Sequence, residues 1–83
     1  MNGQELKEKT IEGLSSTRPL MASLLSQCDL RVEVSHPGRR ITVHLKGEPY
    51  YSEQLASKAC WPVLHTEMAI ALRDDFTLNF EKP

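Results

Sequence analysis

The stretch DLRVEVSHPGRRITVHL, residues 29–45, alternates apolar and polar side chains on both sides of a Pro-Gly turn. Such period-two alternation around a turn is typical of a β-hairpin that rests one face on a core and exposes the other to water. The sequence therefore predicts two antiparallel strands joined at residues 36–39. Their apolar positions are Leu30, Val32, Val34, Ile41, Val43 and Leu45.

The composition is that of one small globular domain covering residues 1–83. Hydrophobic residues make up 40% of the chain and charged residues 25%, which is close to the globular average and argues against disorder. Ten basic and eleven acidic side chains give a formal net charge of −1. Because nucleic-acid-binding domains are usually basic, this balance disfavours a nucleic-acid partner.

The chain shows no signal for a membrane or for export. Its apolar runs are too short for a transmembrane helix, and the opening MNGQELKEKT has no apolar core of a signal peptide. Two cysteines are too few for a disulfide framework. We therefore expect a cytoplasmic protein with no membrane partner.

Two amphipathic helices are predicted before the hairpin. The first covers residues 3–15, with one apolar face. The second has Ser16 or Thr17 as its N-cap and Pro19 in its first turn, where the missing N–H costs little. The face of the first helix is Leu6, Thr10, Ile11 and Leu14, and the stripe of the second is Leu20, Met21, Leu24, Leu25 and Cys28.

After the hairpin, the pattern predicts a helical segment and then a third strand. The segment starts at Tyr51 or Ser52, with Ser52 as N-cap, and runs to about residue 73. Pro62 should break it into two helices, because proline loses a backbone hydrogen bond and clashes with the preceding turn. Its core-facing residues are predicted as Leu55, Ala59, Val63, Leu64, Met68, Ala71 and Leu72, and the strand's apolar residues are Phe76, Leu78 and Phe80.

The resulting order is α-α-β-β-α(α)-β. It predicts an α+β fold with a three-stranded sheet and helices packed on one face. The order and the segments LLSQCDLRVEV, ITVHLKGEPYYSEQL and ALRDDFTLNFE resemble the K-homology-like domains of bacterial replication proteins. Those domains include the N-terminal domain of the initiator DnaA and the C-terminal domain of the DNA polymerase III gamma/tau subunit. The resemblance covers roughly residues 10–82 and implies a protein-docking module.

Nucleic-acid binding is the alternative function. K-homology domains bind nucleic acid through a GXXG loop between two helices, whereas the corresponding junction, residues 58–63, has no glycine. The predicted open face of the sheet also lacks the aromatic residues that stack on bases. The hairpin is locally basic and could contact phosphate, or it could be a solvated face with pairs such as Glu33 with Arg40 or Lys46. The candidate phosphate contacts are Arg31, Arg39, Arg40 and Lys46.

Metal binding and catalysis find little support in the sequence. Cys28, Cys60 and His65 could converge, but no C-x2-C or H-x3-H spacing is present. Both cysteines fall on apolar stripes, where free cysteine behaves as a small hydrophobic residue. Cys60 and His65 are the only local nucleophile and base, and five residues along a helix place them on different faces. The sequence predicts neither an enzyme nor a cofactor.

Tyr50, Tyr51 and Trp61 are the remaining candidates for a binding site. Three of the five aromatic residues thus flank the helical segment that follows the hairpin. They could cap one end of the core, or they could form a docking surface, because tyrosine and tryptophan are enriched in binding hot spots. The sequence therefore favours a non-enzymatic protein-interaction module whose partner is unknown, and the resemblance implies an association with the DNA replication machinery.

Overall fold

The structure is a computed structural model that describes residues 2–81. Met1, Lys82 and Pro83 of the predicted domain lie outside the described residues. Within the described range, the chain forms four helices and three strands in the predicted order. The elements are α1 (Gly3–Ser15), α2 (Pro19–Ser26), β1 (Asp29–Ser35), β2 (Arg40–Lys46), α3 (Pro49–Leu55), α4 (Trp61–Leu72) and β3 (Thr77–Glu81).

The three strands form one mixed sheet in the order β1-β2-β3. β1 and β2 are antiparallel, with Ser35 opposite Arg40 at the turn and Asp29 opposite Lys46 at the other end. β2 and β3 are parallel, with Thr42 opposite Thr77. α3 and α4 connect these two parallel strands. The central strand β2 therefore pairs on one side with β1, which is close in sequence, and on the other with β3, which is distant in sequence.

The sheet has one apolar face and one polar face, as the alternation predicts. Ile41, Val43 and Leu45 of β2 are buried, while Thr42 and His44 between them face the other side. Leucines from all four helices share the core with them, so the helices cover only the apolar face. The buried apolar residues are Leu6, Leu14, Met21, Ala22, Leu25, Cys28, Ile41, Val43, Leu45, Leu55, Leu64 and Met68. The α+β class and the one-sided packing are confirmed.

The two N-terminal helices follow the predicted bounds, with two corrections in α2. Arg18 is the N-cap, not Ser16 or Thr17, because the backbone N–H groups of Thr17 and Arg18 are already bonded to the carbonyl of Leu14. Leu20 is 74% exposed and does not belong to the core-facing stripe. The buried residues of α2 are instead Met21, Ala22 and Leu25.

The helical segment after the hairpin is broken before Pro62, as predicted, but it begins earlier. Pro49 is the first residue of α3 and its N-cap is Glu48, so the predicted N-cap Ser52 lies inside the helix. Proline suits this first position because its N–H would have no partner there. The break spans residues 56–60, and this places Ala59 in an exposed turn instead of on the core face.

Among residues 2–81, no helix has the length and apolar character needed to cross a membrane.

Candidate functional site

Tyr50 and Tyr51 lie in the first turn of α3 and have different surroundings. Tyr51 is half-buried and packs against the core, which fixes the orientation of the helix. Tyr50 is 64% exposed, and its ring contacts that of Tyr51 edge-on at 5.4 Å between centroids. Tyr51 therefore supports an aromatic ring that remains largely in water.

Trp61 is the first residue of α4 and contacts a different set of rings. Its ring centroid lies 5.9 Å from that of Phe80 on β3 and 5.5 Å from that of His65 one turn later. His65 in turn stacks on Phe76 at 4.6 Å. These contacts join the start of α4 to β3, so Trp61 has a packing role as well as a partly exposed surface.

The three predicted aromatic residues therefore divide between two groups of ring contacts. One group is Tyr50 with Tyr51, and the other joins Trp61 to His65 and Phe80. Sequence reasoning missed the second group because it treated Phe80 only as a core residue of the strand. That all three tyrosine and tryptophan side chains bind one partner stays a prediction.

The predicted basic residues are each accompanied by acidic side chains. Arg31 donates to Glu81 on β3 at 3.1 Å. Lys46 lies opposite Asp29 in the register, and both line a cleft of about 240 Å³ with Glu81. The local positive charge at this end of the sheet is therefore offset.

The hairpin turn shows the same compensation. Arg39 and Arg40 line a groove of about 260 Å³ together with Asp74 and Asp75, which precede β3. Gly38 and Arg39 both adopt positive φ angles, 95° and 42°, and the whole turn is exposed. Two arginines beside two aspartates do not make the continuous basic surface that a phosphate backbone requires.

His44 is the centre of the polar sheet face, a role that the sequence did not reveal. Its side chain is only 13% exposed. The Nε2 atom lies 2.9 Å from a carboxylate oxygen of Glu33 on β1, and the Nδ1 atom lies 2.8 Å from one of Glu81 on β3. Nδ1 is also 3.1 Å from the amide nitrogen of Asn79. One imidazole ring thus links all three strands.

The contact with His44 changes the titration of Glu33. The hydrogen bond from His44 lowers the pKa of the Glu33 carboxyl, and the charges of His44 and Arg31 add to the effect. The expected pairing of Glu33 with Arg40 or Lys46 is wrong. In the observed register Glu33 faces Thr42, and its side chain reaches diagonally to His44.

The two cysteines are free thiols in different environments. Cys28 is buried in the core, and desolvation by that burial raises the pKa of its thiol. Cys60 is half-buried at the N-cap of α4 and packs against the edge of the core. Within residues 2–81, no cluster of histidine, cysteine and carboxylate side chains has a geometry that could hold a metal ion.

Comparison of the chain with protein-family models, curated proteins and solved structures finds no match.

Proposed function

We propose that this chain is a non-enzymatic protein-interaction module that binds its partner through the start of α3. The observation that carries the proposal is the 64% exposure of Tyr50 on a helix that Tyr51 and Leu55 anchor to the core. A tyrosine side chain has few rotatable bonds to immobilise on binding and buries a large apolar area, as binding hot spots do.

The resemblance to K-homology-like domains of replication proteins supports the same kind of function. In those domains the fold serves to hold protein partners, and the element order of this chain is the one on which the resemblance rests. We therefore propose a K-homology-like module that acts in the cytoplasm, in an assembly such as the DNA replication machinery.

Nucleic-acid binding by the hairpin is the weaker proposal. Its candidate contacts are Arg31, Arg39, Arg40 and Lys46, and acidic side chains accompany all four. A phosphate backbone would have to compete with these carboxylates for the same cations.

The test compares substitutions at the start of α3 with substitutions on the polar sheet face. Tyr50→Ala should weaken partner capture in a nuclease-treated pull-down about tenfold, since loss of a hot-spot side chain costs on the order of 1–2 kcal/mol. Tyr51→Ala should weaken it too, but it should also lower the melting temperature, because Tyr51 is half-buried against the core.

The matched control is Thr42→Lys with Thr77→Lys on the polar sheet face, where the two threonines lie opposite each other. This pair should leave partner capture unchanged. If the threonine pair abolishes capture while Tyr50→Ala does not affect it, the polar sheet face is the binding surface and the proposal is wrong.

A further inference from the structure

β1 is an edge strand whose outer side is unpaired. It has seven residues, Asp29–Ser35, and pairs with β2 along its whole length without a bulge. Natural proteins usually protect such an edge with a lysine, a proline, a bulge or a covering segment. β1 contains no lysine or proline, and within residues 2–81 no backbone hydrogen bond other than those of the sheet reaches it. Its outer N–H and C=O groups are therefore open to a further strand.

The charges of β1 are complementary to those of a second β1 that runs antiparallel to it. A two-fold axis at Val32 places Arg31 opposite Glu33 of the second copy, and Glu33 opposite Arg31 of that copy. Opposite charges on facing residues stabilise a strand pair, and like charges destabilise it. The adjacent symmetric registers, centred on Arg31 or on Glu33, would each place two like charges at the axis. Charge therefore favours the register centred on Val32.

The apolar side chains of β1 fit the same register. Leu30 and Val32 are half-buried and pack against the core, whereas Val34 is 45% exposed. In the register centred on Val32, Val34 lies opposite Leu30 of the second copy. Facing residues of an antiparallel pair share one side of the sheet, so the exposed valine gains an apolar neighbour there.

Arg31 and Glu33 can make these contacts without giving up their partners within the chain. Their side chains are 62% and 51% exposed. Arg31 donates to Glu81 through Nη2, and Glu33 contacts His44 through Oε1. A guanidinium group has five N–H donors and a carboxylate has two acceptor oxygens, so each side chain can hold a second partner.

We propose that two copies of this chain associate through β1, in the antiparallel register centred on Val32. The two three-stranded sheets then form one sheet of six strands, with the helices of both copies on the same face. Such an interface is isologous, since each copy contributes the same residues. One pair of short strands makes a small interface, so we expect a weak dimer whose population depends on concentration.

The first experiment measures self-association by analytical ultracentrifugation up to about 1 mM protein. Arg31→Glu alone and Glu33→Arg alone should each raise the dissociation constant about tenfold or more, because the facing pairs become like-charged. An equimolar mixture of the two variants should restore association, since every facing pair is again opposite in charge. A wild type that stays monomeric, or a mixture that associates no better than either variant, would overturn the proposal.

The second experiment uses the apolar side of the strand, where the charge network is left intact. Val34→Lys should also weaken association about tenfold, because it places a charge opposite an apolar residue. Ile70→Lys is the matched control, since Ile70 is an exposed apolar residue on α4 and not on β1. Equal losses in both variants would indicate unspecific apolar association and would contradict the proposal.

Tyr50→Ala separates this dimer from the proposed function. Tyr50 lies on α3, so its removal should leave the dissociation constant of the dimer unchanged. If Tyr50→Ala abolishes self-association, the copies meet at α3 and the β1 interface is wrong.

Discussion

Gly47 lies directly against Cys28, so that a β-carbon added at position 47 would stand 2.7 Å from the Cys28 sulfur atom. Cys28 is buried just after α2, and Gly47 follows the last residue of β2. The backbone at Gly47 does not have the left-handed conformation that Gly38 has. Glycine is therefore required at this position because a side chain would not fit beside Cys28, and not because of the backbone conformation.

Gly47→Ala should destabilise the fold by about 1–3 kcal/mol, the usual cost of an extra methyl group in a packed site. Denaturant unfolding would measure the change. Adding Cys28→Ala removes the sulfur atom and should recover part of the loss. Gly13→Ala offers a contrast, because its new methyl group would meet only the flexible carboxylate end of Glu67. If Gly47→Ala unfolds at the wild-type denaturant concentration, the contact is not tight.

The thiols should differ in their reaction with an alkylating reagent. Burial raises the pKa of Cys28, so its reactive thiolate is scarce and access is blocked. Cys60, half-buried at the start of α4, should be modified first, and Cys28 only at the rate of unfolding. Mass spectrometry of partly alkylated protein would identify the order. Elemental analysis of the same sample, purified without chelator, should find no stoichiometric zinc.

Glu33 should contribute stability that is lost in acid. The pKa of its carboxyl is lowered in the folded state, so the contribution is present above the unfolded value, about 4.3, and is lost as the pH falls through the folded value. Glu33→Gln should therefore reduce the loss of stability between about pH 6 and about pH 3. Urea unfolding at several pH values tests this. A variant that is as acid-sensitive as the wild type would show that the His44 contact does not matter.

Arg39→Glu with Arg40→Glu tests the nucleic-acid alternative. Because Asp74 and Asp75 line the same groove, we expect the wild type to bind oligonucleotides no more tightly than about 10⁻⁴ M at physiological salt. The double substitution would then change nothing in a fluorescence-anisotropy titration. Sub-micromolar binding by the wild type, lost in the variant and weakened steeply by salt, would establish the hairpin as a nucleic-acid site.

Local patterns predicted most of the fold, because each element is encoded by nearby residues. Periodicity gave the bounds of α1, and alternation gave the position of the hairpin turn at residues 36–39. Helix starts were harder: Ser52 looks like an N-cap, but Pro49 begins the helix three residues earlier. Which apolar residue stays outside, as Leu20 does, depends on the rotation of a short helix against its neighbours.

The His44 network could have been predicted only in part. A turn at residues 36–39 fixes the hairpin register, and this alone places Glu33 diagonally across from His44. The contacts with Asn79 and Glu81 depend on β3 pairing in parallel with β2, 35 residues away for His44 and Asn79. No local sequence pattern specifies the strand edge with which β3 pairs.

The central position of β2 also has a consequence for synthesis of the chain on the ribosome. One edge of β2 can pair with β1 as soon as the hairpin has been synthesised. The other edge has no partner until β3 follows, 35 residues later. At 5–20 residues per second, this edge remains open for about 2–7 s. Arg40 and Lys46 end the strand with positive charge, which discourages pairing with other chains. Arg40→Thr with Lys46→Thr should therefore increase the insoluble fraction of the chain in cell-free translation.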